Sequence, residues 1–236
     1  LVLSAFAISF YINGLSDSGL EKDLTNIMIK KATTTGQKMT IVFPDGTFVK
    51  LNSESTISYP EEFSKECREV TLVGEAYFDV AHYDDWPFIV KSEDTETMVL
   101  GTEFNVTAYP EEENLIIALV SGSVHVRTQG EQSVMLEPMQ MATVKNKEQD
   151  LMVSDFDLLQ VTGWKDNMIV FKKATFLEIQ NTLERWYGVK IFYDDIPRFE
   201  GGYTGDFTDE SLETILNGIS SNKFDFEIEG KKVYIN

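Results

Sequence analysis

From Thr40 to about Val153 the chain is a succession of short β-rich runs with no stretch of helical period between them. "MTIVF" and "TFVKLN" read as a hairpin around Pro44-Asp45-Gly46, where proline presets φ and glycine supplies the positive-φ position. "STISYP", "REVTLVG", "EAYFDVA", "PFIVKS", "ETMVLG", "TEFNVTAY", "NLIIALVSG", "SVHVRTQ", "SVMLEP", "QMATVKN" and "LMVSD" follow, and a glycine or proline marks most junctions. Many strands at this spacing mean an all-β domain, and sandwich, barrel and solenoid all satisfy the pattern. In "VTLVGEAYFDVA", alternation sets Val70, Leu72, Ala76, Phe78 and Val80 on apolar faces, with Gly74 at the step between two strands. Glu75, Tyr77 and Asp79 face the other way. Four residues of strand hold Glu75 and Asp79 ~13 Å apart, beyond the ~5–9.5 Å of a glycosidase pair. Both acids are therefore read as solvated or hydrogen-bonded strand residues.

After Trp164 the period changes. "NMIVF" is a short strand, and "ATFLEIQNTLERWYG" places Phe176, Ile179, Leu183 and Trp186 on one helical stripe ended by Gly188. "VKIFYDD" is a strand again. The order then repeats: "YTGDF" as strand, "TDESLETILNGISSN" as helix with Thr208 or Asp209 as N-cap, and "KFDFEIEG" with "KKVYIN" as a hairpin. Phe171, Phe176, Ile179 and Leu183 match Phe207, Leu212, Ile215 and Ile219 at an offset of 36. Val189, Ile191 and Tyr193 match Phe224, Phe226 and Ile228 at an offset of 35. An internal βαβ duplication of this size predicts two helices packed on one small sheet.

The net charge of −19 repels nucleic acid and anionic lipid, so neither is expected as a partner. At the other extreme, "LVLSAFAISFYINGL" is free of charge. Fifteen helical residues reach only ~23 Å, short of a ~30 Å hydrocarbon core. The segment reads as the trailing part of a membrane helix, and the mixed-to-acidic "SDSGLEKD" after it suits a non-cytoplasmic side. An amphipathic or buried N-terminal helix is the other reading.

Motifs for chemistry are missing. Neither His82, in the loop "AHYDDWPF", nor His125, in an alternating strand, has a second histidine at ligand spacing. Cys67 is the one cysteine, so no internal disulfide is expected. No nucleophile-elbow, phosphate-loop or dinucleotide pattern occurs, and the acidic "EEEN" at 111–114 reads as a turn tip. "NVT" at 105–107 is a glycosylation sequon set inside a strand. Phe63, Tyr77, Phe78, Trp86, Phe88, Phe104 and Tyr109 suit a strand core, or else a carbohydrate-binding face. No catalytic, cofactor or metal residues are expected.

The ordered motifs "FPDGTFVKLNSESTISYP", "REVTLVGEAYFDVA", "VLGTEFNVTAY" and "LVSGSVHV" resemble the FecR family of membrane-anchored anti-sigma regulators. "IVFKKATFLEIQNTLERWYGVKIFYDD" with "YTGDFTDESLETILNGI" resembles the C-terminal domain that accompanies it, similar to the short N-terminal domain of secretins and TonB-dependent transducers. The resemblance runs from Thr40 to Asn236. It implies a non-enzymatic, single-pass inner-membrane protein without cofactors, whose periplasmic part is the present chain. The implied partners are the signalling domain of an outer-membrane TonB-dependent transducer and, through a cytoplasmic segment absent here, an ECF sigma factor. The expected organisation is a truncated membrane helix (1–16), a juxtamembrane linker (17–38), an all-β domain (39–155), a second linker (156–166) and an α+β domain (167–236). An exposed edge strand accepts a partner strand readily. Val189–Asp194, with Val189, Ile191 and Tyr193 named as contacts, is the expected docking edge. The alternatives are a periplasmic or extracellular glycan-binding module and a glycan-active enzyme built from dispersed carboxylates.

Overall fold

Strand alternation holds through most of the first half of the computed structural model, which describes residues 27–145, 150–221 and 223–236. The strands are β1 (Met28–Ala32), β2 (Met39–Val42), β3 (Phe48–Leu51), β4 (Thr56–Pro60), β5 (Arg68–Asp79), β6 (Phe88–Ser92) and β7 (Thr95–Val99). After them come β8 (Glu103–Ala108), β9 (Asn114–Ser121), β10 (Val124–Thr128), β11 (Ser133–Leu136), β12 (Gln140–Lys145) and β13 (Asp150–Asp155). They form one 13-stranded sheet folded on itself, with β5 common to both halves. One half runs β1-β4-β5-β6-β7-β10-β11 and the other β2-β3-β5-β8-β9-β12-β13. The result is sandwich-like, with Leu51, Leu72, Phe78, Phe104 and Ile117 fully buried between the halves. Each such side chain contributes roughly 1.5–3 kcal/mol of burial.

The two runs separated by Gly74 are one continuous strand. The N-terminal half of β5 pairs with β4 and, in parallel, with β6, while from Gly74 onward it pairs with β8 and β3. Gly74 takes φ +94°, and a Cβ there would lie 2.4 Å from Ser55 Oγ. The glycine bends β5 from one half of the sheet into the other without breaking it.

The sandwich also begins earlier than residue 39. Strand β1 pairs with β4 from Met28↔Pro60 to Ala32↔Thr56, inside the stretch expected to be linker. Its "MIKKA" carries two lysines, the composition of an exposed edge strand, and so reads as loop in a hydrophobicity pattern. The second expected linker is also ordered: α1 (Leu158–Thr162) and a 3₁₀ turn (Gly163–Asp166) lie within it. The membrane-helix expectation for 1–16 falls outside the described residues. No helix among those described is long and apolar enough to cross a membrane.

The C-terminal part contains β14 (Met168–Ala174), α2 (Phe176–Tyr187), β15 (Lys190–Tyr193), β16 (Tyr203–Thr208), α3 (Leu212–Ser220), β17 (Phe226–Glu229) and β18 (Lys232–Ile235). The duplication is visible in its geometry. Equivalent strands β14 and β16 pair antiparallel, with Ile169↔Phe207 and Phe171↔Gly205 related by the 36-residue offset. Lys173 and Asp209 sit 36 apart and share the same positive φ, 50° and 51°. Thr175 and Ser211, again 36 apart, cap the two helices by accepting the backbone N–H of Glu178 and Thr214. Ser211 is thus the N-cap of α3 in place of Thr208 or Asp209, because the chain first turns out of β16 at Asp209.

The helices do not lie on one sheet. The strands form two sheets, a two-stranded one, β14-β16, and a three-stranded one, β15-β18-β17, and both helices share one core with them. Each βαβ unit sends its two strands to different sheets, and Ile179, Leu183, Ile215 and Ile219 belong to one buried cluster with apolar residues of both sheets.

Candidate interaction site

Polar groups are gathered in specific geometry at the junction between the parts and along the outer edge of β15. At the junction the turn between β8 and β9 supplies Glu111 and Glu112. Arg185, near the end of α2, donates to them at 3.2 and 2.6 Å and lies 4.1 Å above the Tyr109 ring. Trp164 inserts its indole so that Nε1 donates to Asn105 Oδ1 at 3.1 Å. From the β1–β2 loop, Gly36 N–H donates to the Arg185 carbonyl at 2.9 Å. Lys38 Nζ donates to the Trp164 carbonyl and Asn167 Oδ1 at 2.9 and 3.1 Å, and stands 3.5 Å from the Trp186 ring centroid. Burial, and then the charge of Lys50, lower the Lys38 ammonium to about 8. A cleft of about 930 Å³ runs along this junction, with Glu75 on one wall.

Glu75 is the group that most resembles a catalytic acid, and its surroundings show what holds it. Asn105 Nδ2 and Thr107 Oγ1 donate to Oε1 at 2.9 and 3.0 Å, and Asn52 Nδ2 donates to Oε2 at 2.7 Å. Burial raises its pKa above the ordinary 4.5, against the opposing pull of those donors and of Arg185. Three donors and the Asn105–Trp164 contact make Glu75 a member of the network that seats Trp164. A carboxyl with a raised folded-state pKa contributes stability that is full below about 4.5 and is lost as pH rises through the folded value. Glu75→Gln removes this titration. Melting temperatures followed from pH 4.5 upward should fall more steeply for the wild type than for the variant, and parallel curves would refute the assignment.

The expected docking residues lie at the edge of the three-stranded sheet. Among the described residues strand β15 pairs only with β18, in parallel, and no strand lies on its other side. Val189 and Ile191 are buried and Tyr193 is half-buried, all packed in the C-terminal core. What these residues offer a partner is their backbone. Phe192, between them, is 47% exposed and stacks on Tyr234 on the outer face of the sheet.

The aromatics named as a carbohydrate face are core residues in the main. Phe78 and Phe104 stack at 4.9 Å in the sandwich interior beside Phe88, Phe63 packs against that core, and Tyr109 is buried. Tyr77 donates its hydroxyl to Glu103 at 2.6 Å, and Trp86 donates its indole N–H to the Ser64 carbonyl. Asn105 of the sequon is buried at the junction. His82 contacts Asp84 in an exposed loop, and no cluster of three metal-ligating side chains occurs among the described residues.

Sequence reasoning missed Lys38, Arg185 and Trp164 as junction residues. A half-hidden signal existed for one of them: Arg185 interrupts the aromatic end of an amphipathic helix, and the acidic turn 111–113 had no assigned cation.

Comparison with known proteins adds the following. Residues 30–125 match the family described as FecR protein, and residues 168–235 match that described as FecR, C-terminal. Two crystal structures of a candidate anti-sigma factor from Parabacteroides distasonis, at 1.65 and 2.50 Å, superpose with a TM-score of 0.81 and 29% identity. The first covers 88% of this chain and 98% of its own, the second 89% and 98%. No curated protein sequence matches the chain.

Proposed function

We propose, from the premise that this chain belongs to the FecR family of anti-sigma regulators, that it is the sensor region of a single-pass inner-membrane protein. It lies in the periplasm and relays a signal from an outer-membrane TonB-dependent transducer to a cytoplasmic ECF sigma factor. It acts by being bound and carries out no covalent chemistry. The receiver is the C-terminal domain, and the contact is strand addition at β15 by the transducer's signalling domain, with Val189, Ile191 and Tyr193 as the paired residues.

The observation that supports this most is the side of β15 on which no strand lies among the described residues, in the domain that matches the FecR C-terminal family. Strand addition supplies affinity through backbone hydrogen bonds and needs no deep pocket. The charge of −19 keeps the surface away from nucleic acid and anionic lipid. Glu75, the one carboxyl with the look of a catalytic acid, is engaged by three donors of its own protein.

Amide hydrogen exchange of the whole chain tests the placement. With the purified signalling domain of each TonB-dependent transducer of the same organism added in turn, one should slow exchange across 189–194. Protection confined to the sandwich, with 189–194 unchanged, would locate the receiver elsewhere.

A further inference from the structure

The open side of β15 is already occupied, by side chains of its own helix. Lys190 N–H donates to the Lys231 carbonyl at 2.8 Å, toward β18, so in a parallel ladder the groups of Ile191 point the other way. There the Ile191 N–H donates to Glu184 Oε1 at 2.8 Å, and the Ile191 carbonyl accepts from Gln180 Nε2 at 3.2 Å. Gln180 Nε2 also reaches Glu184 Oε1 at 3.3 Å, and Lys190 Nζ donates to Glu184 Oε2 at 2.7 Å. The cap is imperfect: Gln180 Oε1 is buried without a hydrogen-bond partner among the described residues.

Glu184 belongs to the last turn of α2, and the next two residues hold the sandwich. The Arg185 carbonyl takes the Gly36 N–H, the Arg185 guanidinium takes Glu111 and Glu112, and the Trp186 ring lies under Lys38. Gly36 and Lys38 are in the loop that follows β1, the first described strand, which among the described residues pairs only with β4. One helical turn therefore grips the proposed docking edge with one residue and the N-terminal loop of the sandwich with the next two.

The geometry points to a latch. Closed, the last turn of α2 caps β15 and clasps the β1–β2 loop; open, it frees both. An extended strand of a protein partner that pairs with Ile191 must displace Gln180 and Glu184, and so biases the loop attached to β1. Binding and loop release are two readouts of one equilibrium. This inference rests on the proposed reading of β15 as the docking edge for its biological meaning, and its test uses no partner.

Coupling between two sites is reciprocal. Amide exchange is therefore measured on the whole chain in two single variants placed at opposite ends of the latch. Glu184→Ala removes the cap and should speed exchange at Ile191 and, through the helix end, at Gly36. Lys38→Ala loosens the clasp and should speed exchange at Gly36 and, in return, at Ile191. The remote effect expected in each case is about fivefold or more. Gln180→Ala removes the other half of the cap and gives the same reading if Glu184→Ala fails to fold. Exchange that quickens only at the substituted end overturns the latch, and leaves strand addition at β15 to be decided by the partner footprint.

Discussion

Asp45→Ala is expected to destabilise the sandwich by about 3–5 kcal/mol, the usual loss when one member of a buried ion pair is removed. Asp45 Oδ2 receives Arg68 Nη1 at 2.9 Å, and both side chains are completely shielded from solvent. The rest of the guanidinium is fixed by carbonyls: Nη1 donates to Ala81 at 2.8 Å, Nη2 to Trp86 and Leu100 at 2.7 and 3.2 Å, and Nε to Trp86 at 3.0 Å. Tyr83, Trp86 and Phe88 surround it with ring faces at 4.9, 5.3 and 5.4 Å. Arg68 thus ties the start of β5 to the 81–86 loop and the end of β7, and Asp45 is its one carboxylate partner among the described residues. Without that anion a full charge stays in the core, held by dipoles alone. Asp45 also orders its own turn, accepting Thr47 N–H at 3.0 Å and Thr47 Oγ1 at 2.7 Å. Asp45→Asn keeps the Thr47 N–H bond to Oδ1 and fills the same space, but its amide NH2 group faces the Arg68 donor, so a substantial part of the loss should remain. Urea unfolding, with the sandwich transition followed apart from the C-terminal one, checks both. A loss below about 1 kcal/mol for the alanine variant would mean that the pair does not hold the core as described.

This pair shows where sequence reading stops. The turn Pro44-Asp45-Gly46 was legible because turn chemistry is local, and so was the alternation that buries Leu72 and Phe78. The bond from Asp45 to Arg68 spans 23 residues and leaves no periodic trace. Arg68 carries no signal of its burial in sequence, because charged side chains are rarely buried unless paired. Gly74 was legible as a special position, but not as the bend of one long strand, since a glycine inside a strand and one between strands look alike in sequence. The duplication was readable from four apolar matches at one offset, and its helices fell where expected. The division of its strands between two sheets was not readable, because the apolar period records that a face is buried and not against which element. At the proposed site, the edge strand was anticipated. Its cap was not: Gln180 and Glu184 lie on the helix at ordinary polar positions, and only the register of β15 turns Ile191 toward them.

Ile191 carries the second large effect. A proline there deletes the outward N–H at the centre of β15 and withdraws an apolar side chain that is 5% exposed. Both losses fall on the C-terminal domain, and the sandwich, with its own separate core, should keep its unfolding transition. Glu184→Ala acts in the opposite sense, since it uncovers the same N–H while leaving the strand and its core side chains intact. The affinity of the transducer's signalling domain for the wild type, Ile191→Pro and Glu184→Ala chains therefore tests the account most directly. The account predicts binding to the wild type, none to the proline variant, and a gain of about fivefold or more for the alanine variant, in line with ordinary coupling strengths. Equal affinity for all three would contradict it.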